Sequence, residues 1–198
     1  MISTNLCTVG VQKLGRYIPA FNLPRNKDIC IGMTKECEKY CYAKRYHFKG
    51  ETVIAKYNDN YRRTKLPGFK ETMIQELKHY SFQSIDRLRL HSSGDFYSQE
   101  YLDNWKQIAY SVPDITIVAY TRSYQLDYSN TPDNLKLFYS LDSSTVNFPD
   151  TLKRWAIVYH KKDHLKNTIP NTFICKSHCH SCKACFVESK KDVIFFRH

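Results

Sequence analysis

The chain has 198 residues, 42% of them hydrophobic, and a formal net charge of +11 from 30 Lys plus Arg against 19 Asp plus Glu. This length fits one domain with a sizeable core, and a mean hydropathy of -0.54 suits a globular chain rather than a disordered or membrane one. No window approaches the roughly 18 consecutive apolar residues of a membrane-spanning helix, and residues 1–7 lack the basic and apolar blocks of a signal peptide, so the sequence reads as cytoplasmic. The basic balance favours a polyanionic partner or an anionic small molecule, which makes nucleic acid one partner class. The 15 tyrosines can stack on bases, although those at helical spacing read as half-buried.

In chain order, residues 15–30, "GRYIPAFNLPRNKDIC", carry two prolines and no clear period. A helix is predicted from Thr34, an N-cap with Glu36 in the first turn, to about Phe48, ending at Gly50. A second spans 51–64, with Val53, Ile54, Tyr57 and Tyr61 at helical spacing. A third follows Pro67, with Phe69, Met73, Ile74, Leu77 and Tyr80 on one face. "DRLRLHSSGDF" (86–96) then begins as an alternating strand and ends in a turn. Ser98 caps a helix carrying Tyr101, Leu102, Trp105, Ile108 and Ala109, which Pro113-Asp114 breaks. "ITIVAYT" (115–121) reads as a strand covered on both faces. A short helix is expected near Pro132–Leu135, a strand at 135–142, a helical "TLKRW" (151–155), and strands at "AIVYH" (156–160) and "TFIC" (172–175).

Strands separated by helices imply a parallel α/β sheet with right-handed crossovers. Four or five strands are clear, and one before Cys30 makes six. That is enough for a partial (β/α) barrel within a single domain of residues 1–198. Its parts are an irregular entry (1–33), a βα core (34–174) and a cysteine-rich tail (175–198). Function in such folds gathers where strands end and helices begin. Three such ends carry polar residues: His91-Ser92-Ser93-Gly94-Asp95, Thr121-Arg122-Ser123 and Ser140-Leu141-Asp142-Ser143. His91, Ser93, Asp95 and Arg122 are candidates to line the mouth, with Arg122 as an anion clamp and Asp95 as acceptor or base.

The eight cysteines gather at the two ends of the chain. In a reducing compartment, clustered thiols ligate metal more readily than they pair as disulfides. Cys37 and Cys41, four apart on a helix, share a face, and Cys30 can fold back as a third ligand. Three thiolates leave a fourth position open, on an iron–sulfur cluster or on zinc. The run "CKSHCHSCKAC" supplies Cys175, Cys179, Cys182 and Cys185. Four thiolates so close enclose one tetrahedral or cubane centre, with iron–sulfur ahead of zinc and with His178 and His180 as substitutes for a thiolate. The two ends can form one centre or two. Cys7 stands alone and reads as a buried thiol. The clusters Arg62-Arg63-Thr64-Lys65 and Lys161-Lys162 support a rival reading, a metal-stapled module that binds nucleic acid or a host protein.

The stretches "IPAFNLP", "ECEKYCYAKR", "RLHSSGDFYSQEYLDNW" and "CHSCKACF" together resemble the bacteriophage gene product 88 family over most of the chain. That resemblance implies a phage-encoded protein of the host bacterial cytoplasm and points to no particular activity. More broadly, a cysteine loop ending in Tyr40-Cys41 and followed by βα units is similar to the radical S-adenosylmethionine (radical SAM) superfamily. The resemblance implies a radical-SAM-like partial barrel with a 4Fe-4S cluster on Cys30, Cys37 and Cys41. It implies S-adenosylmethionine at the open iron, and Ser92, Ser93 and Gly94 at the cofactor's amino group. The spacing of the three cysteines here is wider than the superfamily's usual pattern.

Overall fold

The structure, a computed structural model, describes residues 5–11, 13–45, 48–146, 154–159, 171–187 and 191–196. Its centre is a seven-stranded sheet in the order β1-β2-β3-β4-β5-β7-β6. The strands are β1 (Ala20–Phe21), β2 (Arg87–Leu90), β3 (Thr116–Thr121), β4 (Leu135–Leu141), β5 (Trp155–Tyr159), β6 (Thr172–Ile174) and β7 (Asp192–Phe196). Every pairing is parallel. The helices are α1 (Lys35–Tyr40), α2 (Glu51–Thr64), α3 (Phe69–Phe82), α4 (Gln99–Ser111) and the single turn α5 (Cys179–Cys182).

The two faces of the sheet are covered differently. Alternation along the strands sends Phe21, Leu88, Leu90, Ile117, Ala119 and Leu137 to one face. There they meet Met73 and Leu77 of α3 and Leu102, Trp105 and Ile108 of α4. α4 presents Tyr101, Leu102, Trp105, Ile108 and Ala109 inward at helical spacing. Its start is fixed by Ser98, whose hydroxyl accepts the Tyr101 N–H at 3.2 Å. Trp105 is wholly buried, with its ring 5.4 Å from that of Phe21. On the opposite face Ala20, Val118, Phe138, Ala156 and Val193 meet Leu14, Ile18 and Phe186 from the two ends of the chain.

Topology accounts for this division. From β1 to β5 each strand lies beside its predecessor, so right-handed crossovers all fall on one face. The step from β6 to β7 runs backwards across the sheet. A right-handed connection there has to cross the other face, and that connection is the segment that contains α5 and the four tail cysteines.

Several sequence expectations change in the structure. The helix predicted over 34–48 stops at Tyr40, because Cys41 takes an extended ψ of 121°, and a 3-10 turn over Tyr42–Lys44 follows. Cys37 and Cys41 therefore do not sit on one continuous helix. Pro132–Leu135 is a turn, not a helix, closed by the Leu135 N–H on the Pro132 carbonyl at 2.9 Å. Of "TLKRW", residues 151–153 lie outside the described residues, and Trp155 opens β5 rather than a helix. The sheet has seven strands against the six expected. The additional one, β7, is inserted between β5 and β6.

Candidate metal centre

Parallel pairing brings the ends of β2, β3 and β4 to one rim, and the Cys30–Cys41 segment is seated on it. A Cβ on Gly32 would lie 1.8 Å from the Arg122 carbonyl oxygen, so only glycine lets this loop pass the end of β3. Thr34 anchors the segment twice. Its Oγ1 accepts the Cys37 N–H at 2.9 Å, capping α1, and donates to Asp142 Oδ2 at 2.7 Å. Asp142, at the end of β4, also takes Arg122 Nη1 at 3.0 Å, with its side chain 1% exposed. A continuous polar path thus runs from two strand ends to the backbone of Cys37.

Three thiols gather here. Cys37 donates to Cys41 in a sulfur–sulfur hydrogen bond. That bond holds Cys41 down at about 6, with the Ala43 backbone and Arg25 adding to it against burial. The same bond, with burial, pushes Cys37 well up. Cys30 lies within electrostatic reach of Cys41, and burial raises it to about 12, with Asp95 and Cys41 adding. Arg25 hydrogen-bonds the Cys41 sulfur, and its Nη2 donates to the Glu38 carbonyl at 3.2 Å. A thiol lowered in this way, beside a second thiol and a guanidinium, has the electrostatic setting of a metal-binding cysteine.

The second group lies on the face opposite α3 and α4. Cys175, Cys179, Cys182 and Cys185 line one cavity of about 30 Å³, with Arg89 of β2 and Tyr120 of β3 in its wall. The Tyr120 hydroxyl donates to Cys185 Sγ at 2.8 Å, and the Ser177 N–H points at Cys175 Sγ at 3.4 Å. The Arg89 guanidinium stacks on the Tyr120 ring at 3.9 Å. It acts electrostatically on Cys179 and Cys185, and also on Tyr42 beside the rim thiols. Both groups suit a metal in donor chemistry. Among the described residues, no three His, Cys, Asp or Glu side chains already stand in metal-ligand geometry.

The other predicted site residues separate. Asp95 is at the rim and buried. It accepts the Phe96 N–H and the Thr121 hydroxyl at 2.7 Å each and the Arg122 N–H at 2.8 Å. Burial pushes it up to about 6 against those donors. The side chain of Arg122 is engaged by Asp142 and by the Ser140 carbonyl at 3.0 Å, so it braces the rim rather than clamping a free anion. His91 turns into the core, with its ring 4.8 Å from Phe96 and Nε2 2.9 Å from the Tyr101 hydroxyl. Burial, helped by Arg89, lowers it to about 3. It is a neutral packing residue and not part of the mouth. The Ser92 and Ser93 N–H groups both point at Asn22 Oδ1, at 2.7 and 3.2 Å. Gly94 has φ +86° and faces Leu23, whose Cβ would lie 2.6 Å from an added Cβ. Its small size therefore serves packing against the segment after β1.

Cys7 is 6% exposed and raised by burial, the isolated thiol expected of it. Lys161-Lys162 lie outside the described residues. Arg62 and Arg63 both pair with Asp59, at 2.6 and 2.7 Å, on the surface of α2. Sequence reasoning missed Arg25, Arg89 and Tyr120. For Arg89 a signal was present: in "RLRL" the arginines take the face opposite Leu88 and Leu90.

Among the described residues, no helix is long and apolar enough to cross a membrane. No solved structure matches the chain. A relative, the Gene 88 protein of Mycobacterium phage L5, is 26% identical over 129 residues, covering 60% of this chain and 54% of the phage protein. The chain thus spans about half the length of the curated relative it matches. The family profile described as Gene product 88 matches residues 3–193. With the rim segment, the tail thiols and all of the sheet but the end of β7 inside that match, the chain belongs to the Gene product 88 family.

Proposed function

We propose that Cys30, Cys37 and Cys41 hold a 4Fe-4S cluster at the rim of an incomplete, radical-SAM-like (β/α) barrel, and that the protein acts on a small molecule in the host cytoplasm. The observation that carries this reading is the convergence of three thiols, two in mutual hydrogen bond, on a segment anchored through Thr34 to the ends of β3 and β4. Parallel sheets bind their ligands at that end of the strands. The unbroken order from β1 to β5, with α3 and α4 against one face, is the strand succession such a barrel uses. A cluster on three thiolates supplies an electron and one open iron position. This chain's own residues supply the rest: Arg25 and Arg122 offset thiolate charge, and Asp95 fixes the β2 and β3 ends beside Cys30. S-adenosylmethionine is the ligand class we assign to the open iron, with Ser92, Ser93 and Gly94 as the strand-end turn for its amino group.

Anaerobic purification followed by metal analysis tests the reading. The expected result is iron with acid-labile sulfide and a broad visible absorbance that changes on adding S-adenosylmethionine. Zinc without sulfide would overturn it. The net charge of +11 supports a second reading, a metal-stapled nucleic-acid or host-protein binder without catalysis. That reading expects an unresponsive spectrum and a nucleic-acid affinity that falls steeply with salt.

A further inference from the structure

We propose that Cys175, Cys179, Cys182 and Cys185 form a separate centre that holds a single zinc-class divalent ion, with Arg154 and Arg89 as its counter-charges. Several observations point the same way. The four cysteines line one cavity, and four cysteine sulfurs are the donor set of a tetrahedral zinc-class site. The sulfurs are already treated as acceptors, by the Tyr120 hydroxyl at Cys185 and by the Ser177 N–H at Cys175. Donors aimed at sulfur orient and stabilise metal-bound thiolates.

A third observation is electrostatic. Arg154 packs its guanidinium over the Phe138 ring at 4.0 Å, and its Nε and Nη2 are buried with no hydrogen-bond partner among the described residues. Asp192 and Cys185 both act on it. Asp192, however, has one carboxylate oxygen engaged by the Trp155 N–H at 2.6 Å. Arg89 stacks on Tyr120 from the other side. A buried guanidinium without a partner is costly unless an anion stands close. Four thiolates around one divalent ion carry a net charge of −2 by simple addition. Arg154 and Arg89 face that charge, and Lys13 also acts on Cys179. Binding displaces the thiol protons to solvent and requires no change of oxidation state.

Topology supplies the purpose. The β6–β7 connection is the one that reverses direction and crosses the face opposite α3 and α4. α5 is a single turn with Lys183 at φ +54° after it, too short to be stable alone. A tetrahedral thiolate centre is a standard staple for such a segment.

The test uses the full chain in which Cys30, Cys37 and Cys41 are all changed to Ala, so that it is independent of the rim cluster. Expected are retention of zinc without sulfide and, after exchange with cobalt(II), the intense visible bands of a tetrahedral thiolate site. Cys179→Ala with Cys182→Ala is expected to abolish both. Arg154→Gln and Tyr120→Phe, which leave the ligands in place, are each expected to weaken zinc binding about tenfold. Where a cysteine variant fails to fold, alkylation of the unaltered chain with and without chelator decides the matter. Protection of the four tail thiols that disappears with chelator supports the site, and equal labelling overturns it. Iron with sulfide at the tail, or no metal in the rim variant, also overturns it.

Discussion

Gly32→Ala is expected to destabilise the protein by about 4 kcal/mol or more and to strip the rim of its metal-binding capacity. The added Cβ would sit 1.8 Å from the Arg122 carbonyl oxygen and 2.3 Å from its carbon. Both atoms belong to backbone at the end of β3, so no side-chain rotation relieves the clash, and the Cys30–Thr34 loop has to lift. Lifting it breaks the Thr34–Asp142 hydrogen bond, and with it the support of Cys37. Losses of this size come from a short list of causes, of which backbone overpacking is one. Thermal unfolding by circular dichroism reads the stability, and iron content reads the rim. Near-normal values for both would show that the loop is not seated as described. Gly50 is a control, since a Cβ there meets only Val53, at 3.8 Å.

Asp95→Asn is expected to change how stability depends on pH, with the loss of one acceptor at the rim opposed near neutral pH by relief of a buried charge. The carboxylate accepts three hydrogen bonds at the rim, and an amide presents one acceptor where the carboxylate presents two. The pH signature follows from two groups of opposite sign. His91 is lowered from 6.5 to about 3. The unfolded chain therefore takes up a proton below pH 6.5 that the folded chain refuses, and stability falls as pH drops. Asp95 is raised from 3.8 to about 6. The folded chain binds that proton first, and stability rises as pH drops from about 6 towards 3.8. Each contributes a slope of about 1.4 kcal/mol per pH unit, so the two nearly cancel between pH 4 and 6. In Asp95→Asn only the His91 slope survives, and the variant loses stability steeply below pH 6 relative to the unaltered chain. Parallel pH profiles for the two proteins would contradict this account of Asp95.

These two predictions rest on features of different visibility in the sequence. The alternation of "DRLRL", the period of α4 and the Ser98 cap are local signals, and the structure has them where the pattern places them. The rim was legible as three polar strand ends, because a parallel sheet sends all its C-terminal ends one way. The division of labour within the rim was not. Arg122 pairs with Asp142, twenty positions later, and one ring nitrogen of His91 meets Tyr101 on the far side of the turn, while its Nδ1 is buried without a partner among the described residues. Such pairings depend on register and crossover, which no local spacing encodes. The end of α1 at Cys41 was hidden for a related reason: "ECEKYCYAKR" carries good helix formers through Lys44, and packing on the rim overrides them. β7 escaped notice because five residues near a terminus carry too little pattern to separate a strand from a tail. With it went the reversal that carries the tail thiols onto the face opposite α3 and α4.

The central claim is that the rim thiols bind iron. Iron and acid-labile sulfide, measured on the anaerobically purified chain and on the same chain with Cys30, Cys37 and Cys41 changed to Ala, test it most directly. The account predicts equal amounts of iron and sulfide in the first protein and neither in the second. Undiminished iron and sulfide in the second, or their absence from both, would contradict it.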